Sequence, residues 1–322
     1  MSEELIRDFW EKVSPYTVQK MNQVKSSGTK FVHYTSASNA LSIIQNQKVW
    51  MRNASEMNDF SEVQHGQSCL AAAWNDKTQG ARLKGLLEGI EAGLVDRLAK
   101  SFDERGYDRE RESFIISVSE HGNGTIDEDK YGRLSMWRAY GGNTNVALVM
   151  NNGPFLREST ATNAFTSPVF YGDQDRFVQE FSKVVDAFEQ NMELARQLGG
   201  EAVKTIFQNI FHFAALSTKH PGFAEEREWR VILSPTMFPS NKVKFDLEVV
   251  NGVPQRVYKF PLMDYPSEGF VGATIPDLLE EIIIGPTNAA YTIYDALGGA
   301  LTQAGVSDGF SRVRISSIPL RR

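Results

Sequence analysis

The residue types best suited to chemistry gather in one stretch, Lys219-His220-Pro221-Gly222-Phe223-Ala224-Glu225-Glu226-Arg227-Glu228-Trp229-Arg230-Val231-Ile232-Leu233. Pro221 and Gly222 disfavour a helix across the junction, and the β-rich run Glu228 to Leu233, closed by Pro235, is predicted to be a strand. Side chains alternate along a strand, so Trp229, Val231 and Leu233 share one face and Glu228, Arg230 and Ile232 the other. The first face suits a core. The second sets a carboxylate and a guanidinium at the start of the strand, where solvent or a ligand is expected to reach them. The plain alternative is an edge strand on which Glu228 and Arg230 are solvated or paired with each other.

Further polar residues stand where strands meet loops: His33-Tyr34-Thr35-Ser36, Asn58-Asp59 and Trp137-Arg138-Ala139-Tyr140-Gly141. Each has an ordinary structural role open to it, His33 as a satisfied core histidine, Trp137 as core and Tyr140 as the end of a helix. Their joint placement at element junctions favours binding, because ligand contacts concentrate where loops leave rigid strands. Familiar motifs are missing: the chain has no phosphate-binding Gly-x-x-x-x-Gly-Lys-Ser/Thr, no Gly-x-Gly-x-x-Gly, no His-Glu-x-x-His and no Gly-x-Ser-x-Gly. The histidines His33, His65, His121, His212 and His220 show no zinc-ligand spacing, so no metal is assigned.

The elements that must position these groups can be read in order. Two short helices broken at Pro15 occupy the first 29 residues, followed by a strand at Lys30 to Thr35, a helix capped by Ser36 and a short strand at Lys48 to Met51. Amphipathic helices are predicted from Glu62 to Trp74 and along Leu83, Leu87, Ile90, Leu94 and Leu98. Strands follow at Ser113 to Ser119, with Ser117 and Ser119 on one face, and at Asn145 to Met150. A short helix between them covers Leu134 to Tyr140. After a strand at Ser167 to Tyr171 come a long helix through Phe177, Phe181, Val184 and Phe188 and another from Glu201 to Leu216. Asn251-Gly252 predicts a tight hairpin, and strands near Glu281 and Arg312 flank a helix at Ala289 to Ala304. The fold class expected is α+β: one domain over residues 1–322, strand-rich at its core, with helical insertions at 62–111 and 174–218.

Composition is that of an ordinary globular chain, with 41% hydrophobic and 23% charged residues among 322. No apolar run approaches the roughly 20 residues of a membrane span, and the acidic start lacks the layout of a signal peptide. A cytoplasmic location without membrane attachment is expected. The single cysteine, Cys69, sits among Leu70, Ala71 and Ala72 as a core residue would. A formal charge of -6 argues against nucleic-acid binding driven by bulk charge.

Taken together, His33-Tyr34-Thr35-Ser36 with Ala40-Leu41-Ser42-Ile43-Ile44, Asn58-Asp59-Phe60-Ser61-Glu62, Met136 to Gly141 and Glu226 to Arg230 resemble the bacterial domain-of-unknown-function family 2971. Ile282 to Gly285 and Ile318-Pro319-Leu320 extend the resemblance towards the end. The layout is similar to the ADP-ribosyltransferase superfamily, which implies an ADP-ribosyltransferase-like core and NAD as substrate, cleaved at the nicotinamide bond without a metal. The resemblance implies catalytic roles for Glu228, which would hold the nicotinamide-side ribose, for His33 on the adenine-side ribose, and for Tyr140 against nicotinamide, with Tyr34 or Tyr171 as substitutes. Tyr34, Thr35, Ser36, Arg52, Asn58, Trp137 and Arg138 would complete the NAD site, an arginine there neutralising the pyrophosphate. The chemistry suits these groups, since loss of nicotinamide leaves an oxocarbenium-like ribose that a carboxylate stabilises. The acceptor stays open between protein, nucleic acid, small molecule and water. Two other classes remain: a non-catalytic nucleotide or nucleic-acid sensor, and a glycohydrolase or other hydrolase, for which Lys219 and His220 are the one candidate acid-base pair.

Overall fold

The structure is a computed structural model that describes residues 3–56, 60–106, 111–122, 126–140, 142–157 and 159–319. It is a mixed α/β chain whose strands are β1 Lys30–Ser36, β2 Lys48–Asn53, β3 Phe114–His121, β4 Asn145–Met150, β5 Ala164–Pro168, β6 Phe170–Tyr171, β7 Thr218–Lys219, β8 Glu228–Leu233, β9 Lys244–Val250, β10 Val253–Pro261, β11 Leu279–Ile284 and β12 Val313–Ile315. Contacts divide the chain into two compact units. Unit 1 comprises residues 1–23, 53–113 and 167–224, and unit 2 comprises 24–52, 114–166 and 225–322.

Unit 1 is mainly helical. The helices Glu3–Lys12, Phe60–Trp74, Gln79–Glu88, Leu94–Glu104, Gln174–Gln190, Met192–Leu198 and Gly200–Leu216 bury their apolar stripes on one another. Phe9, Leu83, Phe188 and Phe207 form the centre of that core, with Phe188 meeting Phe9 and Phe207 at ring-centroid distances of 5.9 and 5.0 Å. Sequence reading treats 62–111 and 174–218 as two insertions on a single domain, but in the structure they build one body with a core of its own. The periodicity from Leu83 to Leu98 reads as one helix and is two, because Gly93 at φ +76° starts a new helix on a left-handed residue. Cys69 lies fully buried in this core, where burial pushes its thiol up to about 11. β6 and β7 form a small parallel pair.

Unit 2 is built on a mixed sheet with strand order β12-β11-β4-β1-β3-β2-β10-β9, with β8 pairing β3 and β5 off that path. β1 pairs antiparallel with β3 and β4, β3 with β8, β4 with β11, and β10 with β2 and β9, whereas β11 and β12 run parallel. β4 and β8 are buried along their whole length, as the near-continuous apolar runs Asn145 to Met150 and Trp229 to Leu233 require of central strands. β9 and β10 turn at Asn251 and Gly252, both at positive φ (51° and 82°), the conformation a two-residue hairpin needs. Ser36 caps the helix Ala37–Asn46 by accepting from the Asn39 amide at 3.2 Å.

Candidate functional site

Register decides which side chains in unit 2 can meet. β3 and β8 align Ser117 with Arg230 and Ser119 with Glu228, and β1 and β3 align Val32 with Ser119. Paired residues point to the same side of a sheet. Glu228, Arg230, Ser117, Ser119, Val32 and Tyr34 therefore share one face, and Phe31, His33, Thr35, Val118, Trp229 and Val231 share the other. His33 and Glu228 occupy the same sheet but project from opposite faces. The expected single pocket holding both is corrected on this point.

On the first face, Ser117 Oγ donates to Glu228 Oε1 at 2.5 Å. Arg230 grips the same carboxylate through Nε to Oε1 at 2.9 Å and Nη2 to Oε2 at 3.2 Å. Glu228 is 7% exposed and Arg230 4%. The expectation that solvent reaches this pair is overturned, because β8 is covered on both faces and the two charges neutralise each other. Such a two-pronged contact between buried groups is geometrically specific and costly to break on one side only.

The approach to Glu228 is held by a second charged network. Arg227 sits at φ +45°, an uncommon conformation for a residue with a side chain. It is secured on both sides: its carbonyl accepts from Glu120 N at 2.9 Å, its Nη1 donates to Gly122 O at 2.7 Å, and its Nη2 contacts Glu128. Arg133, itself buried, donates to Glu226 O at 2.9 Å and Glu120 O at 2.8 Å and pairs with Glu128 at 2.7 Å. Backbone strain directly before a buried carboxylate, maintained by several charged contacts, is a recurrent feature of functional positions.

The aromatic residues lie near this network. Tyr34 accepts from the Arg133 amide at 2.9 Å and packs edge-on against Trp137 at 4.8 Å. Burial raises the Tyr34 phenol above its ordinary value, opposed by that amide. Trp137 is 3% exposed and donates to Tyr131 O at 3.0 Å, so it serves as core and not as a stacking platform. Its ring lies over Gly132, at φ +71°, where a Cβ would collide with it. Tyr140 is half-buried, and its hydroxyl donates to Glu226 Oε1 at 3.0 Å. Arg138 is exposed on the short helix Leu134–Ala139. Arg52 is half-buried on β2.

The remaining expected site residues fall elsewhere. His33 donates from Nδ1 to Ser117 O at 2.9 Å and lines an apolar cavity of about 80 Å³. Glu228 is not among the residues around that cavity. Burial lowers the His33 pKa below its ordinary value, opposed by the hydrogen bond to Ser117. Thr35 is buried and accepts from Asn39 Nδ2 at 3.2 Å, and Ser36 is occupied as the helix cap, so neither reaches Glu228. Asn58 lies outside the described residues. Tyr171 belongs to β6 in unit 1. In unit 1, Lys219 is 3% exposed and pairs with Glu62 at 2.7 Å, whereas His220 is exposed and accepts from Gly222 N at 3.1 Å. Both neighbours meet the helix Phe60–Trp74, the His220 ring lying 5.8 Å from that of His65, and the Lys219 ammonium is engaged by Glu62 instead of being paired with His220 as the hydrolase alternative requires. Ser117 and Arg133 are the participants that the sequence did not single out, whereas Arg227 stood in the run Arg227-Glu228-Trp229-Arg230 without a role of its own. The Ser117-x-Ser119 alternation was a visible signal for the first, and nothing local signals Arg133.

A family model described as "Protein of unknown function (DUF2971)" matches residues 136–231. The matched segment contains the Met136 to Tyr140 and Glu226 to Arg230 motifs but neither the His33 nor the Asn58 motif. Nothing among the curated proteins or the solved structures matches the chain. Among the described residues no group of three or more His, Cys, Asp or Glu is placed to hold a metal ion, and no helix is long and apolar enough to cross a membrane.

Proposed function

We propose that unit 2 is a nucleotide-binding module that takes NAD or a related dinucleotide on the sheet face carrying Tyr34, Ser117, Glu228 and Arg230. The observation that carries this reading is the Ser117–Glu228–Arg230 constellation: a buried carboxylate fixed by a hydroxyl and a guanidinium. Buried charge is expensive, so a charged pair kept on this face calls for a reason beyond packing. A carboxylate and a hydroxyl suit a ribose diol, and a guanidinium suits a phosphate. Ser117 and Tyr140, both half-buried, are the members of the network through which a ligand makes first contact.

Binding is favoured over transfer because His33, assigned to the second ribose, projects from the other face. NAD cleavage remains a second reading, favoured by the bond that Ser117 makes to Glu228, which would hold the carboxylate ready for an oxocarbenium-like ribose. Calorimetry of NAD binding, combined with mass spectrometry for free nicotinamide, separates the two. The module reading expects saturable binding that Ser117→Ala weakens by about tenfold, the equivalent of one lost hydrogen bond, and no nicotinamide. Nicotinamide release by the parent would establish cleavage, and absence of binding would overturn both readings.

A further inference from the structure

The second face of the unit 2 sheet lines a partly open cavity of about 80 Å³ that the nucleotide reading does not use. Twenty residues line it, and of these His33, Thr162 and Thr166 carry polar side-chain atoms; the rest of the wall is apolar, with Ile116, Leu148 and Phe260 among its members. His33 is half-buried and forms part of the cavity wall.

The tautomer of His33 follows from its partner. Ser117 O is a carbonyl and can only accept, so Nδ1 at 2.9 Å carries the proton. Burial keeps the imidazole neutral, which leaves Nε2 a bare acceptor. An acceptor in an apolar wall is unfavourable to leave unpaired, and a ligand that brings a hydrogen there recovers the loss. Size sets the other limit. A cavity of roughly 150 Å³ accepts benzene, so about half that space suits a molecule or chain end of three to five non-hydrogen atoms.

We infer that this cavity is a binding site for a short aliphatic group bearing one hydrogen-bond donor, a C3 to C4 alcohol or the hydroxyl-bearing end of a longer molecule, with His33 Nε2 accepting the hydroxyl hydrogen. The hydrocarbon part is held by the apolar wall, and His33 supplies the selectivity for a donor.

The test uses two isomers of equal composition, 1-butanol, which has a donor, and diethyl ether, which has none. Titrations of the full chain followed by amide and imidazole NMR shifts are expected to show 1-butanol saturating the site about tenfold more tightly than diethyl ether. The His33 Nε2 resonance should move on addition of the alcohol only. His33→Leu should bring the two ligands to equal affinity, and Ala164→Leu, which fills the void, should abolish binding of both. If Ala164→Leu fails to fold, the Nε2 resonance of the parent decides alone. Equal affinity of the parent for alcohol and ether, an unmoved Nε2 resonance, or no saturable binding would overturn the inference.

Discussion

Replacing Glu228 with Gln tests the buried pair most sharply. In the parent the Arg230 guanidinium, 4% exposed, is neutralised through two hydrogen bonds to the Glu228 carboxylate, and Ser117 donates a third. The carboxamide keeps the volume but removes the charge, and one of its two ends is a donor facing donors. Breaking one side of a buried pair costs about 3–5 kcal/mol, because the remaining charge stays desolvated. At about 2–4 °C per kcal/mol for a domain of 150–250 residues, the midpoint should fall by roughly 6–20 °C. Thermal unfolding followed by tryptophan fluorescence measures this, since Trp137 and Trp229 are both buried in unit 2. The double variant Glu228→Leu/Arg230→Met removes both charges together and should recover most of the loss, leaving strong coupling between the two sites. A Glu228→Gln variant within about 1 kcal/mol of the parent would place the pair among solvated surface contacts and refute the reasoning.

Other outcomes follow from the same geometry. His121 is held down to about 4 from 6.5, chiefly by burial, with the Asp129 carboxylate opposing the shift. The unfolded chain therefore takes up the proton first as pH falls, so stability is full above pH 6.5 and declines between 6.5 and about 4, by on the order of 3 kcal/mol. His33 shifts in the same direction. His121→Met should flatten this part of a pH series of chemical melts. Tyr34→Phe strips the buried Arg133 amide of its acceptor and should cost about 1–3 kcal/mol in the same denaturation assay. Gly132→Ala adds a Cβ against the Trp137 ring at a left-handed residue and should destabilise by more than about 1 kcal/mol, with a change in the near-ultraviolet signal of Trp137.

Much of the strand framework is legible from local pattern. The β-rich run after Pro221-Gly222 gives β8, the run Asn145 to Met150 gives β4, and Asn251-Gly252 marks the hairpin. Ser36 as a cap follows from its position before an amphipathic run. The site is less legible, because it depends on parity between strands far apart in the chain. His33 and Glu228 each alternate correctly within their own strands, yet the alignment of Val32 with Ser119 and of Ser119 with Glu228 sends them to opposite faces. A one-residue slip in either pairing would reverse that result, and no local signal fixes it. The burial of Glu228 is hidden for a related reason, since a strand covered on both faces differs from an exposed one only through what packs above it. The left-handed conformation of Arg227 has no signature in its residue type.

The most direct test of the central claim is a crystal structure of the chain with NAD. Density is expected on the Glu228 face, with a ribose hydroxyl within hydrogen-bond distance of Ser117 or Glu228, an intact nicotinamide bond and no nucleotide beside His33. Density running through the His33 cavity, or a ligand that contacts His33 and Glu228 together, would contradict it.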